Sequence, residues 1–347
     1  MTVRVGVVGV GNIGQDHVRR LVDTLRGARV VALADADAAR AEAVARRVPD
    51  ARAYPSGHEL VGSGDVDAVL VATPGATHEP FVLAALAAGK PVFCEKPLAT
   101  TTEACQRILD AELAGRRRLV QVGFMRRYDA GYRAMKATLA AGALGAPLLV
   151  HCAHRNPAAP PGFTSEMMIT DSAIHEIDLV RWLLDREIVG TRVLRPRRTR
   201  RADADLQDPL VVLLESADGT LVDVEVLINS AYGYDIRCEV VAELGTVSLA
   251  EGGDVVVRRE RRRIGHVAGD WRERFARAYD AELQAWVDSV ERGEGDGPSS
   301  WDGYAATAIA SAAVESLQGG QPTVVPTKAR PGFYDPTVAS APAQPGS

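Results

Sequence analysis

The sequence is short of several features that would narrow its chemistry at once. Its four cysteines, Cys94, Cys105, Cys152 and Cys238, are scattered along 347 residues without CxxC spacing. That argues against a zinc ribbon or a redox pair, and the thiols read as small buried residues in a reducing compartment rather than disulfides. No apolar run approaches the length that crosses a bilayer. No signal pattern precedes the first apolar run at Val3, so a cytoplasmic location is expected. A formal charge of −5 gives no general attraction to nucleic acid. No nucleophile elbow is present either.

Two arginine-rich runs stand against the acidic balance: Arg195-Pro-Arg-Arg-Thr-Arg-Arg201 and Arg258-Arg-Glu-Arg-Arg-Arg263. Neither is interleaved with aromatic residues or set in a recognised nucleic-acid module. They read as solvated loops or edge strands, where charge discourages edge pairing. An anionic partner or a subunit interface is the other reading.

What is present is a change of grammar along the chain. Apolar runs at 3–8, 30–34, 68–72, 92–94 and 119–122 alternate with alanine-rich helical patterns at 38–48, 78–88 and 102–114. Such alternation predicts a doubly wound parallel sheet with helices on both faces. A further helix is expected at 130–144. After residue 148 and one helix at 167–184, strand-like segments follow one another at 211–214, 221–228, 236–242 and 246–249. Their short turns and partial apolar–charged alternation predict a largely antiparallel sheet with one wetter face. Helices at 272–292 and 301–318 close the second region. The expected fold class is therefore α/β, with a Rossmann domain at 1–124, a second α/β domain at 125–330, and a tail at 331–347 that frays.

The first strand runs into Gly9-Val-Gly-Asn-Ile-Gly14, a GxGxxG loop that opens a helix. Glycines allow the tight turn and close approach to a pyrophosphate, and the helix N-terminus supplies N–H donors. Asp35, closing the second strand about 20 residues later, would accept hydrogen bonds from the adenosine ribose and repel a 2′-phosphate. That favours NAD over NADP. Asp35 could instead be only a helix N-cap, and Asp37 is a competing acid past the strand end.

Ligands of doubly wound sheets lie beyond the carboxyl ends of the strands. Ala72-Thr-Pro-Gly-Ala-Thr-His78 and Val92-Phe-Cys-Glu-Lys-Pro97 both meet that edge. Thr73, Pro74, His78, Glu95 and Lys96 thus become cofactor-side candidates, and Lys96 could also bond a substrate oxygen. A structural Glu95–Lys96 ion pair is the alternative. On the helix at 167–184, Asp171 and His175 are four apart and share one face. A histidine near neutral pKa suits removal of a hydroxyl proton, with the carboxylate orienting it; a helix-surface pair is the plainer reading. His151 and His154 point to opposite faces of one strand, so no metal site is expected.

These residues together resemble the glucose–fructose oxidoreductase/inositol dehydrogenase (Gfo/Idh/MocA) family. The blocks Phe93-Cys-Glu-Lys-Pro-Leu-Ala-Thr-Thr101, Leu119-Val-Gln-Val-Gly-Phe-Met-Arg-Arg-Tyr-Asp129, His151-Cys-Ala-His-Arg-Asn-Pro157, Tyr232-Gly-Tyr-Asp-Ile236 and Trp301-Asp-Gly-Tyr304 resemble its inositol-oxidising members. The resemblance runs to about residue 320. It implies Lys96, Asp171 and His175 as a catalytic triad, with Met125, Arg126, His154, Asn156 and Tyr234 lining a polyol pocket. It also implies an open sheet in the second domain that makes subunit contacts, usually in a homotetramer. Asn12 departs from the smaller residue often found in the loop. The expected reaction is NAD-dependent oxidation of myo-inositol to 2-keto-myo-inositol. Related expectations are action on scyllo-inositol, D-chiro-inositol or a pyranose such as glucose, or a non-enzymatic NAD-dependent sensor.

Overall fold

The computed structural model describes residues 2–250, 257–259, 262–264, 266–326 and 328–335. The chain forms two compact units. One holds the residues through Phe124, Asp280–Thr307 and the stretch from Lys328; the other holds Met125–Tyr279 and Ala308–Thr327.

In the first unit six parallel strands alternate with helices. They are β1 (Val3–Val8), α1 (Asn12–Asp23), β2 (Ala28–Ala34), α2 (Ala38–Ala45), β3 (Arg52–Ala53), α3 (Gly57–Gly62), β4 (Ala68–Val71), α4 (His78–Ala87), β5 (Val92–Glu95), α5 (Thr102–Gly115) and β6 (Val120–Gly123). The sheet order is β3-β2-β1-β4-β5-β6, so the strand order reverses between β1 and β4. All four residues of β4 are buried, as expected of a strand covered on both faces. The exposed two-residue β3 and the short α3 carried too little apolar periodicity to be read from sequence.

The core of this unit shows why residues 280–307 belong to it. Leu283, Trp286 and Val287 are buried in one cluster with Val3, Val5, Leu33 and Phe93. Gly303 permits another close approach: a Cβ there would stand 2.6 Å from that of Leu98. Tyr334, also buried, bonds to Glu112 (2.9 Å) and Ser300 (3.0 Å), which ties down the chain up to residue 335. The rest of the tail, from residue 336, lies outside the described residues.

The second unit contains α6 (Ala130–Ala140), β7 (Pro147–Arg155), a π-turn (Met168–Ala173) continuing as α7 (Ile174–Leu184), β8 (Ile188–Leu194), β9 (Leu210–Ser216), β10 (Leu221–Leu227), β11 (Asp235–Ala242) and β12 (Gly245–Ser248). There follow β13 (Val257–Arg259), β14 (Arg262–Ile264), α8 (Trp271–Arg274) and β15 (Thr323–Val324), while of α9 (Ala276–Arg292) and α10 (Ser300–Gly319) this unit holds only residues 276–279 and 308–319. The sheet order is β12-β11-β7-β10-β9-β8-β15. Only the β7–β10 pair is parallel, so the sheet is mixed but mostly antiparallel. α6 stops short of residue 144 because Gly142 and Gly145 take positive φ.

Strand β8 and its partner β15 were not read from sequence. In Ile188-Val-Gly-Thr-Arg-Val-Leu194 the glycine and charge dilute the alternation. The first arginine run follows β8 in an exposed loop, where Arg198 bonds to the carbonyls of Asp203 and Ala204. The second supplies the antiparallel pair β13–β14, and its Glu260 and Arg261 lie outside the described residues. All four cysteines are free and buried, with Cys152 facing Cys238 across β7 and β11 at 3.8 Å.

Candidate active site

The glycine loop lies at the point where the strand order reverses. Gly9 has φ +91°, and a Cβ there would stand 2.6 Å from the Ala72 carbonyl carbon. A Cβ on Gly14 would fall 2.0 Å from the Gly9 carbonyl oxygen. At Gly11, by contrast, the space is open, and this residue caps α1 with no side chain over the first-turn N–H groups. Asn12 is exposed there, while Ile13 packs onto the core. An uncapped helix start beside a glycine with open space is suited to a pyrophosphate.

Asp35 is bound into this loop. Its carboxylate accepts hydrogen bonds from the Val10 N–H (2.8 Å) and the Asp37 N–H (2.9 Å), and Arg40 Nη1 stands 3.4 Å away. The N-cap of α2 is Asp37, which accepts from the Arg40 N–H at 3.1 Å. The two acids thus divide the roles: Asp37 caps, and Asp35 remains beside the glycine loop.

At the end of β5, Glu95 turns toward α1. His17 Nε2 lies 2.6 Å from Glu95 Oε1, and the Lys96 N–H bonds to Glu95 Oε2 at 3.1 Å. Lys96 is half-buried at the strand exit. His78 joins the two neighbouring loops: its ring nitrogens lie 2.7 Å from the carbonyl oxygens of Pro97 and Thr73. Burial lowers the His78 pKa, and the two carbonyls offset only part of that. The Thr73 hydroxyl accepts from Thr77 at 2.9 Å, and Pro74 is exposed. His78 and Glu95 therefore brace backbone and helix, while Thr73 and Pro74 line the loop surface.

In the second unit the wide π-turn precedes α7, so Asp171 and His175 do not stand on one regular α-helix face. Asp171 is exposed, whereas His175 is buried at 8% exposure, unlike a member of a helix-surface pair. The His175 and His154 ring centroids are 6.4 Å apart, and Tyr234 meets His154 edge-on at 5.9 Å. Asn156, half-buried, directly follows β7. Met125 and Arg126 are buried in a short 3₁₀ turn. His151 faces the other side of β7, at 2.5 Å from Asp223. Among the described residues no group of three acidic, histidine or cysteine side chains could hold a metal.

Arg126 is spent on Glu176, a residue that sequence reading passed over. The guanidinium Nη1 bonds to Glu176 Oε1, Nη2 lies 3.1 Å from His154 Nδ1, and its carbon sits 5.5 Å over the Phe275 ring. Burial alone would raise the Glu176 carboxyl; Arg126 and His154 outweigh it and hold the pKa below the ordinary range. Burial also pushes the Tyr234 phenol up. Asp178 is buried too and pairs with Arg127, with Nε–Oδ2 at 2.8 Å. The available signal was acids inside an otherwise apolar helix, since carboxylates are rarely buried without a partner.

Known proteins resemble the chain along most of its length. The profile of an oxidoreductase family with an NAD-binding Rossmann fold matches residues 3–124, and that of the same family's C-terminal alpha/beta domain matches 136–326. Inositol 2-dehydrogenase 3 of Saccharopolyspora erythraea is 56% identical over 334 residues, 96% of this chain and 98% of the relative. Inositol 2-dehydrogenase of Burkholderia cenocepacia is 52% identical over 335 residues, covering 96% and 99%. Among solved structures, myo-inositol dehydrogenase from Lactobacillus casei, in complex with NAD(H) and myo-inositol, superposes with a TM-score of 0.94 at 40% identity, covering 96% of this chain and 100% of that one. The scyllo-inositol dehydrogenase of the same organism gives 0.87 at 26%, covering 94% and 100%.

Proposed function

The chain belongs to the Gfo/Idh/MocA oxidoreductase family, and from that premise we propose that it oxidises myo-inositol at its axial hydroxyl, with NAD, to 2-keto-myo-inositol. The observation that carries this reading is the 56% identity, along nearly the whole chain, to an inositol 2-dehydrogenase. The myo-inositol dehydrogenase of Lactobacillus casei, at 40% identity and a TM-score of 0.94, supports the same substrate.

The residues present suit NAD. The N–H groups of Gly11, Asn12, Ile13 and Gly14 would receive the pyrophosphate, with Gly9 giving the turn. Asp35 would take the ribose hydroxyls, and Thr73, Pro74 and Lys96 would flank the nicotinamide half, braced by His78 and Glu95. When bound, NAD supplies a hydride acceptor at nicotinamide C4. His175 takes the hydroxyl proton as the C–H bond of the same carbon is lost. The Lys96 ammonium polarises that oxygen, and Asp171 orients His175 and a ring hydroxyl. Met125, Arg126, His154, Asn156 and Tyr234 would surround the polyol, which needs several convergent polar groups.

The same reading extends to a cytoplasmic homotetramer formed through the open face of the seven-stranded sheet. Its support is apolar exposure: Leu149 and Leu221, register partners on β7 and β10, are 39% and 52% exposed. No described helix is long and apolar enough to cross a membrane.

The test is NADH absorbance with a panel of inositols and sugars. Turnover of myo-inositol above scyllo-inositol, D-chiro-inositol and glucose is expected. A preference for any of those three would replace the substrate, and no NADH with any of them would remove the enzymatic reading.

A further inference from the structure

His154 Nδ1 faces two partners with opposite demands. Glu176 presents carboxylate oxygens at 2.9 and 3.1 Å, and Arg126 presents Nη2 at 3.1 Å. An ionised carboxylate only accepts and a guanidinium only donates, so one ring nitrogen cannot satisfy both. Two carboxylate contacts stand against one, and Arg126 already discharges onto Glu176 through Nη1. The balance puts the proton on Nδ1. All three residues are at least 97% buried, so water does not relieve the conflict.

We propose that Glu176 is a positioning residue: held by Arg126, it fixes His154 in the Nδ1–H tautomer and leaves Nε2 as an acceptor for a polyol hydroxyl. Nε2 makes no hydrogen bond among the described residues. The His154 ring lies among the rings of His175 and Tyr234, the residues given to the polyol above. A hydroxyl donates to that lone pair, which holds the ring of hydroxyls in register. The inference rests on the polyol reading, because it needs a donor on the ligand.

Such tautomer control follows a general pattern, in which the partner of one imidazole nitrogen sets what the other can do. It differs from a merely structural ion pair in what it moves. Losing one neutral hydrogen bond to the polyol raises its KM, while a folding defect lowers the active fraction and leaves KM unchanged.

The experiment uses the full chain labelled with ¹⁵N-histidine, the His154 signals being assigned with His154→Gln. At neutral pH the His154 ring should show a protonated Nδ1 and an unprotonated Nε2, and in Glu176→Met, which leaves no acceptor at that position, the pattern should be lost. In the same variant the KM for myo-inositol should rise about tenfold, with kcat within about threefold and the KM for NAD unchanged. Should Glu176→Met not fold, because Arg126 is left buried without its countercharge, Arg126→Met/Glu176→Met removes both charges and still gives the tautomer readout. A wild-type His154 protonated at Nε2, or a tautomer unchanged by the substitution, would overturn the proposal, as would equal shifts in both KM values. If the wild-type protein makes no NADH from myo-inositol, the polyol reading falls by itself, and the ring signals still decide whether Glu176 sets the tautomer.

Discussion

His17 Nε2 lies 2.6 Å from Glu95 Oε1, with both side chains buried, so the helix that opens the glycine loop is tied to the strand end that carries Lys96. A histidine on α1 and a carboxylate on β5 are 78 residues apart in the chain, yet one contact aligns the two loops of the cofactor edge. Glu95→Ala deprives a buried ring and the Lys96 N–H of their acceptor, which costs about 1–3 kcal/mol. The urea unfolding midpoint should fall, and the KM for NAD should rise. An unchanged midpoint would show that the contact contributes nothing.

Asp35 stands between the glycine loop and Arg40. Asp35→Ser removes the acid that repels a 2′-phosphate and leaves Arg40 to attract it. The ratio of kcat/KM for NADP over NAD should rise by on the order of tenfold or more. An unchanged ratio would mean that Asp35 does not meet the ribose.

Acid should act through Glu176. Its folded pKa is depressed, so its stabilisation is present above the unfolded value of about 4.3 and is lost as pH falls through and below it. The wild-type unfolding midpoint should therefore drop from about pH 5 downward more steeply than that of Arg126→Met/Glu176→Gln. Equal slopes over that window would contradict an ionised, paired Glu176.

His175→Ala removes the proposed proton acceptor. General acid–base help is worth roughly 10²–10⁴-fold, and kcat should fall by that order while NAD affinity, measured by fluorescence titration, stays near the wild-type value. Turnover close to normal would sink the assignment.

Much of the cofactor edge was legible because its signals are local. Gly9 and Gly14 are required by contacts under 3 Å, and Asp35 closes a strand at the expected spacing. The second unit was legible in kind, through the alternation in β10, but β8 and β15 left no clear pattern. What escaped was long-range or conformational. Trp286 joins the core of Val3 and Phe93 from far along the chain, and helical periodicity says nothing about which sheet a helix covers. The π-turn before α7 breaks the α spacing used to set Asp171 beside His175. Glu176 lay hidden next to the histidine that drew attention, since its partner Arg126 is 50 residues away.

The most direct measurement follows a label from substrate to cofactor. With myo-inositol deuterated at C2, the account predicts one deuterium delivered to nicotinamide C4 per molecule of 2-keto-myo-inositol formed. NADH without deuterium, or no NADH at all, would contradict it.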